Sequence, residues 1–155
     1  ETTEEDMWDA YKNNLLGTFV CVKACFPYLK ETQGRIINFS SGSATHGSSK
    51  MVSYGSSKGA IMSMTKILAV ELSKYKIIVN CVVPTAVTPA FEKMYAEAAP
   101  ERRAQMLSGY LIAREKGLGD PEEDVGGVVL FLASRYSQYM TGRTLFADGG
   151  KAMIR

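Results

Sequence analysis

Helical and strand patterns alternate along these 155 residues, and residues 77–83 form a nearly continuous apolar run rich in β-branched side chains. Strands separated by helices imply a parallel sheet, and a strand apolar on both sides implies cover on both faces. The sequence therefore predicts an α/β fold: a three-layer, doubly wound parallel sheet. The length suits a single domain or a large piece of one. Hydrophobic residues make up 46% and charged residues 22%, the composition of a globular chain rather than a disordered one.

The elements follow in order. Thr2 and Glu5 stand at capping-box spacing and open a helix. Met7, Trp8, Tyr11, Leu15, Thr18, Val22, Cys25 and Phe26 continue it as an apolar stripe to about Lys30, with a bend or stop expected near Pro27. Arg35-Ile36-Ile37-Asn38-Phe39-Ser40 reads as a strand, and the small residues 41–49 as a loop. A second helix is expected over about 52–74, then the apolar strand 77–83, stopped by Pro84. Residues 85–119 hold a helix or two between 91 and 112. Asp120-Pro121-Glu122-Glu123 supplies an N-cap, a first-position proline and first-turn acids for a helix that turns Val125, Val128, Val129, Phe131 and Leu132 inward. Thr144-Leu145-Phe146-Ala147 is the last strand, closed by Asp148-Gly149-Gly150. Three strands make a narrow sheet, and the strand near Ile36 would be a bare apolar edge. Residues 1–155 thus read as the C-terminal portion of one larger domain, whose N-terminal strands lie outside this sequence.

A net charge of +2 argues against nucleic acid as a partner. The apolar runs are too short to cross a bilayer. The opening Glu1-Thr2-Thr3-Glu4-Glu5-Asp6 is acidic and unlike a signal peptide, so a cytoplasmic location is expected. Cys21 and Cys25 are spaced like a metal pair but have no further ligand nearby; with Cys81 they read as small buried hydrophobes, and no metal site is expected.

Tyr54-Gly55-Ser56-Ser57-Lys58 is the most informative stretch. Residues four apart on a helix share a face. A lysine ammonium about 4 Å from a phenolate attracts it by about 4 kcal/mol at an effective dielectric near 20. That is worth about three pKa units, enough to let a tyrosine trade protons with a substrate hydroxyl. Taken alone, such a pair is most often an ordinary helix surface. Ser41 adds weight: it follows the first strand at its carboxyl end, where open parallel sheets place their ligands.

At these residues the chain resembles the short-chain dehydrogenase/reductase family. Ser41 and Tyr54 match that family's serine-to-tyrosine spacing, and Tyr54 and Lys58 its Tyr-x-x-x-Lys. Asn14-Leu15-Leu16-Gly17 is similar to the helix segment bearing its fourth catalytic residue, which falls on Asn14. The strand before Ser41, the stretch from Glu71 to Asn80 with Pro84, and the closing Thr141-Gly142 and Asp148-Gly149-Gly150 match as well. The likeness covers nearly the whole chain. It departs from the family in lacking the glycine-rich phosphate loop and the Asn-Asn-Ala-Gly segment, and in carrying Pro84-Thr85 where the family has Pro-Gly. The expected downstream threonine is displaced, with Thr88 one position short and Pro89 in its place.

The resemblance implies a Rossmann-like oxidoreductase domain using NAD or NADP to interconvert a ketone and a secondary alcohol. Tyr54 would be the general acid or base, Ser41 would orient the substrate oxygen, and Lys58 would tune the phenol and hold the nicotinamide ribose. Asn14 would hold a relay water. Tyr54, Lys58, Pro84, Val87 and Thr88 would contact the cofactor, with backbone groups near Val87 reaching the carboxamide. Residues about 90–112 would form a substrate lid whose apolar stripe (Phe91, Met94, Tyr95, Met106, Leu107, Tyr110, Leu111) suits an apolar substrate, although packing within the lid accounts for it equally. Arg102 and Arg103 read as a solvated face, and His46 as a loop residue without a catalytic role. A homodimer or homotetramer pairing through the two long helices is expected. The competing reading is a non-catalytic module of the same fold, acting in binding or assembly.

Overall fold

The computed structural model describes residues 1–112, 114 and 117–153. It begins with a long helical stretch in three parts: α1 (Glu4–Ala10), a π-helical segment (Tyr11–Leu16) and α2 (Gly17–Thr32). The N-cap is Thr3 rather than Thr2. Its hydroxyl accepts from the amide of Asp6 at 3.1 Å and its own amide donates to the Asp6 carboxylate at 2.8 Å. Asp6 closes the box one residue later than Glu5 because the capping box joins the N-cap to the third helical residue, and with Thr3 as N-cap that residue is Asp6. Pro27 neither stops nor ends the helix, which continues to Thr32. The lost hydrogen bond is offset by packing: Val22 is buried, and Phe26 and Leu29 lie against the same core on either side of the proline.

Strand β1 (Arg35–Phe39) leads through a short 3₁₀ turn (Gly42–Ala44) into α3 (Val52–Leu72). After a 3₁₀ turn comes β2 (Ile78–Pro84), whose residues Val79, Asn80, Cys81, Val82 and Val83 are all buried. Cover on both faces is what its apolar run predicts. Two short helices follow, α4 (Pro89–Glu97) and α5 (Pro100–Met106). Asp120 then caps the next helix, its carboxylate accepting from the amides of Glu122 and Glu123 at 2.8 and 2.9 Å. The first part of that helix is π-helical (Pro121–Gly126) and the second is α6 (Gly127–Ala133). The described residues end on β3 (Thr144–Ala147) and a 3₁₀ turn.

The three strands lie parallel in the order β1-β2-β3, with Ile36 opposite Val79 and Val82 opposite Leu145. Helices α2 and α3 pack on the sheet through Val22, Leu68, Ala69 and Leu72 against Ile36, Ile77 and Val79. Helix α6 covers β1 and β2 on the other side, burying Leu132. Three layers result, and β1 occupies one edge of the sheet.

Two further expectations need correction. Cys21 and Cys25 are exposed, and only Cys81 is buried. The stripe Val22, Phe26 and Leu29 takes the inward face of α2, leaving the cysteines at its side. Phe131 is likewise exposed, because Leu132 occupies the inward position of α6.

Candidate active site

The carboxyl end of β1, the 3₁₀ turn and the first turns of α3 come together at one end of the sheet. Ser40 is buried, and its hydroxyl donates to the carbonyl of Lys58 at 2.8 Å. The Lys58 ammonium donates back to the carbonyl of Phe39 at 3.2 Å. Ser41 caps the 3₁₀ turn, its hydroxyl accepting from the amide of Ser43 at 3.3 Å. The turn presses on α3 at Gly55, where an added Cβ would stand 3.0 Å from the Ser43 carbonyl oxygen. A side chain there would press on backbone, while the dihedral angles themselves suit any residue.

Tyr54 and Lys58 occupy successive turns of α3, with Lys58 Nζ 5.8 Å from the tyrosine ring centroid. Tyr54 is partly exposed. Burial holds the Lys58 ammonium below the ordinary lysine range, an effect opposed by the neighbouring Cys81. Cys81 lies beneath it on β2, its thiol pushed up by burial and pulled back by hydrogen bonds with Ser40 and Thr65 and by the Lys58 charge.

Asn14 approaches α3 from the π-helical segment. Its side-chain amide donates to the hydroxyl of Ser57 at 3.0 Å, and that hydroxyl donates to the carbonyl of Tyr54 at 2.8 Å. Among the sequence-predicted residues, Asn14, Ser41, Tyr54 and Lys58 are thus all tied to the same end of α3. Ser40 and Ser57, which make those ties, went unnoticed in the sequence. Their one available signal was position, each being the immediate neighbour of a residue singled out for chemistry.

Pro84, Val87 and Thr88 lie at the end of β2 and beyond it. The Val87 amide donates to the Gly119 carbonyl at 2.9 Å, and the Thr88 hydroxyl caps α4 by accepting from the Phe91 amide at 3.2 Å. A cavity of about 580 Å³ opens beside them, lined by Val87, Thr88, Pro89, Glu92, Leu118 and Asp120. In the segment beyond, Phe91 stacks on Tyr95. Arg103 donates to the carbonyls of Tyr95 and Ala96 at 2.9 and 2.7 Å, so it finishes the C-terminal end of α4 instead of standing free on a solvated face. Tyr110 receives Lys151 Nζ at 3.0 Å, and the amides of Leu111 and Ile112 donate to the Gly149 carbonyl, so the segment is fastened to the chain's closing turn. His46 packs on Gly42, half-buried in the serine loop. Among the described residues no group of three or more His, Cys, Asp or Glu side chains could hold a metal ion. No described helix is long and apolar enough to cross a membrane.

A parallel, three-layer sheet with Ser41 at the carboxyl end of β1 and Tyr54 and Lys58 in the first turns of α3 is a Rossmann-like arrangement. The family profile described as enoyl-(acyl carrier protein) reductase matches residues 1–152. A 12alpha-hydroxysteroid dehydrogenase of Clostridium sp. is 39% identical over 138 residues, covering 89% of this chain and 52% of the relative. An L-fucose dehydrogenase of Rattus norvegicus is 37% identical over 151 residues, covering 97% of this chain and 55% of the relative. The crystal structure of an oxidoreductase of the short-chain dehydrogenase/reductase family from Burkholderia thailandensis superposes with a TM-score of 0.85 at 27% identity, covering 98% of this chain and 58% of that one. The chain belongs to the short-chain dehydrogenase/reductase family. It spans about half the length of the curated relatives it matches.

Proposed function

We propose that this chain carries the catalytic part of an NAD(P)-dependent oxidoreductase that interconverts a ketone and a secondary alcohol. The observation behind this reading is the pairing of Tyr54 and Lys58 on one face of α3, beside Ser41 and at the carboxyl end of β1. Tyr54 is the proton donor for ketone reduction and the acceptor for alcohol oxidation. Ser41 orients the substrate oxygen and stabilises charge developing on it. Lys58 keeps a positive charge next to Tyr54, and Asn14 holds a water that links Lys58 to solvent.

The residues present fit the nicotinamide-ribose end of a dinucleotide. An ammonium carries three donors, and among the described residues Lys58 spends one on Phe39, leaving others for ribose hydroxyls. Pro84, Val87 and Thr88 would border the nicotinamide. Bound there, the dinucleotide would supply or accept the hydride. The sequence holds no G-x-G-x-x-G to receive its phosphates.

The segment 90–112 acts as the substrate lid, and its apolar residues favour an apolar small molecule. Trp8, Leu16, Phe19 and Val20, with Ile67 and Val70 of α3, are exposed and form the face through which a second copy pairs, giving a homodimer or homotetramer. Nucleic acid and membrane are not partners in this reading, and the location is cytoplasmic.

The test is turnover of the full-length protein carrying this sequence, followed at the nicotinamide absorbance with a broad panel of ketones. Tyr54→Phe should abolish turnover and leave cofactor binding nearly intact; a variant as active as the parent overturns the assignment.

A further inference from the structure

Asp120 caps its helix with its own carboxylate, and in a capping box its main-chain amide would be met by the third helical residue, Glu123. That amide donates instead to Asp124 Oδ2 at 2.7 Å. The turn is wound wide here: the Val125 amide reaches back five residues to the Asp120 carbonyl at 3.3 Å, a π-helical bond. In a wider turn the side chain that returns over the cap falls one place later, on Asp124.

The same carboxylate receives Arg114. The guanidinium donates from Nε to Oδ2 at 3.0 Å and from Nη2 to Oδ1, a two-point bond that fixes the plane of the carboxylate. Arg114 first, and then the Asp120 amide, hold the Asp124 carboxyl below the ordinary carboxylate range.

Gly119 lies between this carboxylate and the end of β2. A Cβ added to it would stand 3.0 Å from the Thr85 carbonyl oxygen and 3.3 Å from Asp124 Oδ2. The Gly119 amide donates to the Thr85 carbonyl at 3.3 Å, and its carbonyl accepts from the Val87 amide at 2.9 Å. Ala86 and Gly119 thus form an isolated parallel bridge just past the strand. The Thr85 amide is held from the other side, by the Ala147 carbonyl of β3 at 2.8 Å, and owes nothing to Asp124.

We infer that Asp124 is a positioning residue: gripped by Arg114 and bound to the Asp120 amide, it sets Gly119 against Thr85 and Val87 and so fixes the segment that borders the nicotinamide. This rests on the oxidoreductase reading above. Glu123, the residue that a regular capping box would use, has no part in it.

The experiment compares Asp124→Ala, Asp124→Asn, Arg114→Ala and Glu123→Ala in the full-length protein carrying this sequence, with Tyr54→Phe alongside. Amide hydrogen exchange, read residue by residue by NMR, needs no turnover. The Val87 amide should exchange about tenfold faster in Asp124→Ala, while the Thr85 amide keeps its parental rate. Arg114→Ala should move Val87 in the same direction, and Glu123→Ala should leave it as in the parent. An unchanged Val87 rate in Asp124→Ala, or equal acceleration at Thr85 and Val87, overturns the inference. Asp124→Asn keeps the shape of the side chain and loses only the charge pair, so it serves if the alanine variant does not fold. Its Val87 amide should also exchange faster, and a parental rate refutes the role.

Binding supplies the second readout. Affinity for NAD(P)H should fall about tenfold in Asp124→Ala. ADP-ribose or its 2′-phosphate, which lack the nicotinamide, should bind as they do to the parent. Equal weakening of both ligands means a general structural role and refutes the positioning of the nicotinamide segment. Turnover that survives Tyr54→Phe, or is absent from the parent, sinks the oxidoreductase reading; the Val87 and Thr85 exchange rates still decide whether Asp124 sets Gly119 against β2.

Discussion

Ser40 and Lys58 hold each other's strand and helix in a reciprocal clasp. The serine hydroxyl donates to the lysine carbonyl at 2.8 Å, while the lysine ammonium donates to the carbonyl of Phe39, the residue before Ser40, at 3.2 Å. The end of β1 is thereby pinned to the helix that carries Tyr54. Ser41 follows directly on the pinned residue. A second tie lies deeper in the same interface, where Asn38 donates to the Thr65 hydroxyl at 2.9 Å.

Breaking the clasp should loosen the site more than the fold. Ser40→Ala removes one neutral hydrogen bond at a buried position, with an expected loss of about 1 kcal/mol in urea unfolding. Turnover should fall with little change in KM, since Ser41 loses its fixed relation to Tyr54. Parental turnover in this variant would show that the clasp is not what places Ser41.

Gly55→Ala tests the approach of the serine turn to α3. The new methyl would sit 3.0 Å from the Ser43 carbonyl oxygen, a backbone atom that cannot rotate away. The turn must move, despite the higher helix propensity of alanine. Lower turnover and a lower melting temperature are expected together; a more stable, fully active variant would mean that the turn shifts without consequence.

Lys58 makes stability depend on pH in a definite direction. Burial keeps its folded value below the unfolded one, with Cys81 as the opposing influence. Between those two values the unfolded chain binds more protons, so the Lys58 contribution rises with pH across that window. Lys58→Met removes the charged group and its desolvation. The variant's stability relative to the parent should therefore be greatest near neutrality and decline as pH approaches the ordinary lysine value. Unfolding midpoints measured from pH 7 upward check this, and a constant difference at every pH contradicts it.

Gln33 ends α2 in the left-handed conformation with φ 51°, where glycine is unstrained. Gln33→Gly should stabilise the chain by about 0.5–1 kcal/mol. Thermal or urea unfolding reads the sign directly, and destabilisation would show that the glutamine side chain contributes more than the strain costs.

What the amino-acid sequence by itself determined is the part governed by short-range periodicity. The apolar run of β2 marks a strand buried on both faces, Asp120-Pro121 marks a helix start, and four-residue spacing puts Tyr54 and Lys58 on one face. Ser41 was legible for the same reason, as the residue following a strand end. Tertiary structure decided the rest. Pro27 stays inside a helix because Phe26 and Leu29 pack on a core supplied by β1, β2 and α3, and Cys21 and Cys25 face outward because Val22 claims the inward face. Ser40 meets the Lys58 carbonyl across 18 residues, and Asn14 meets Ser57 across 43. Such bonds follow no period in the chain: each depends on where packing sets two distant backbones, and a buried polar group must then take the partner it finds there.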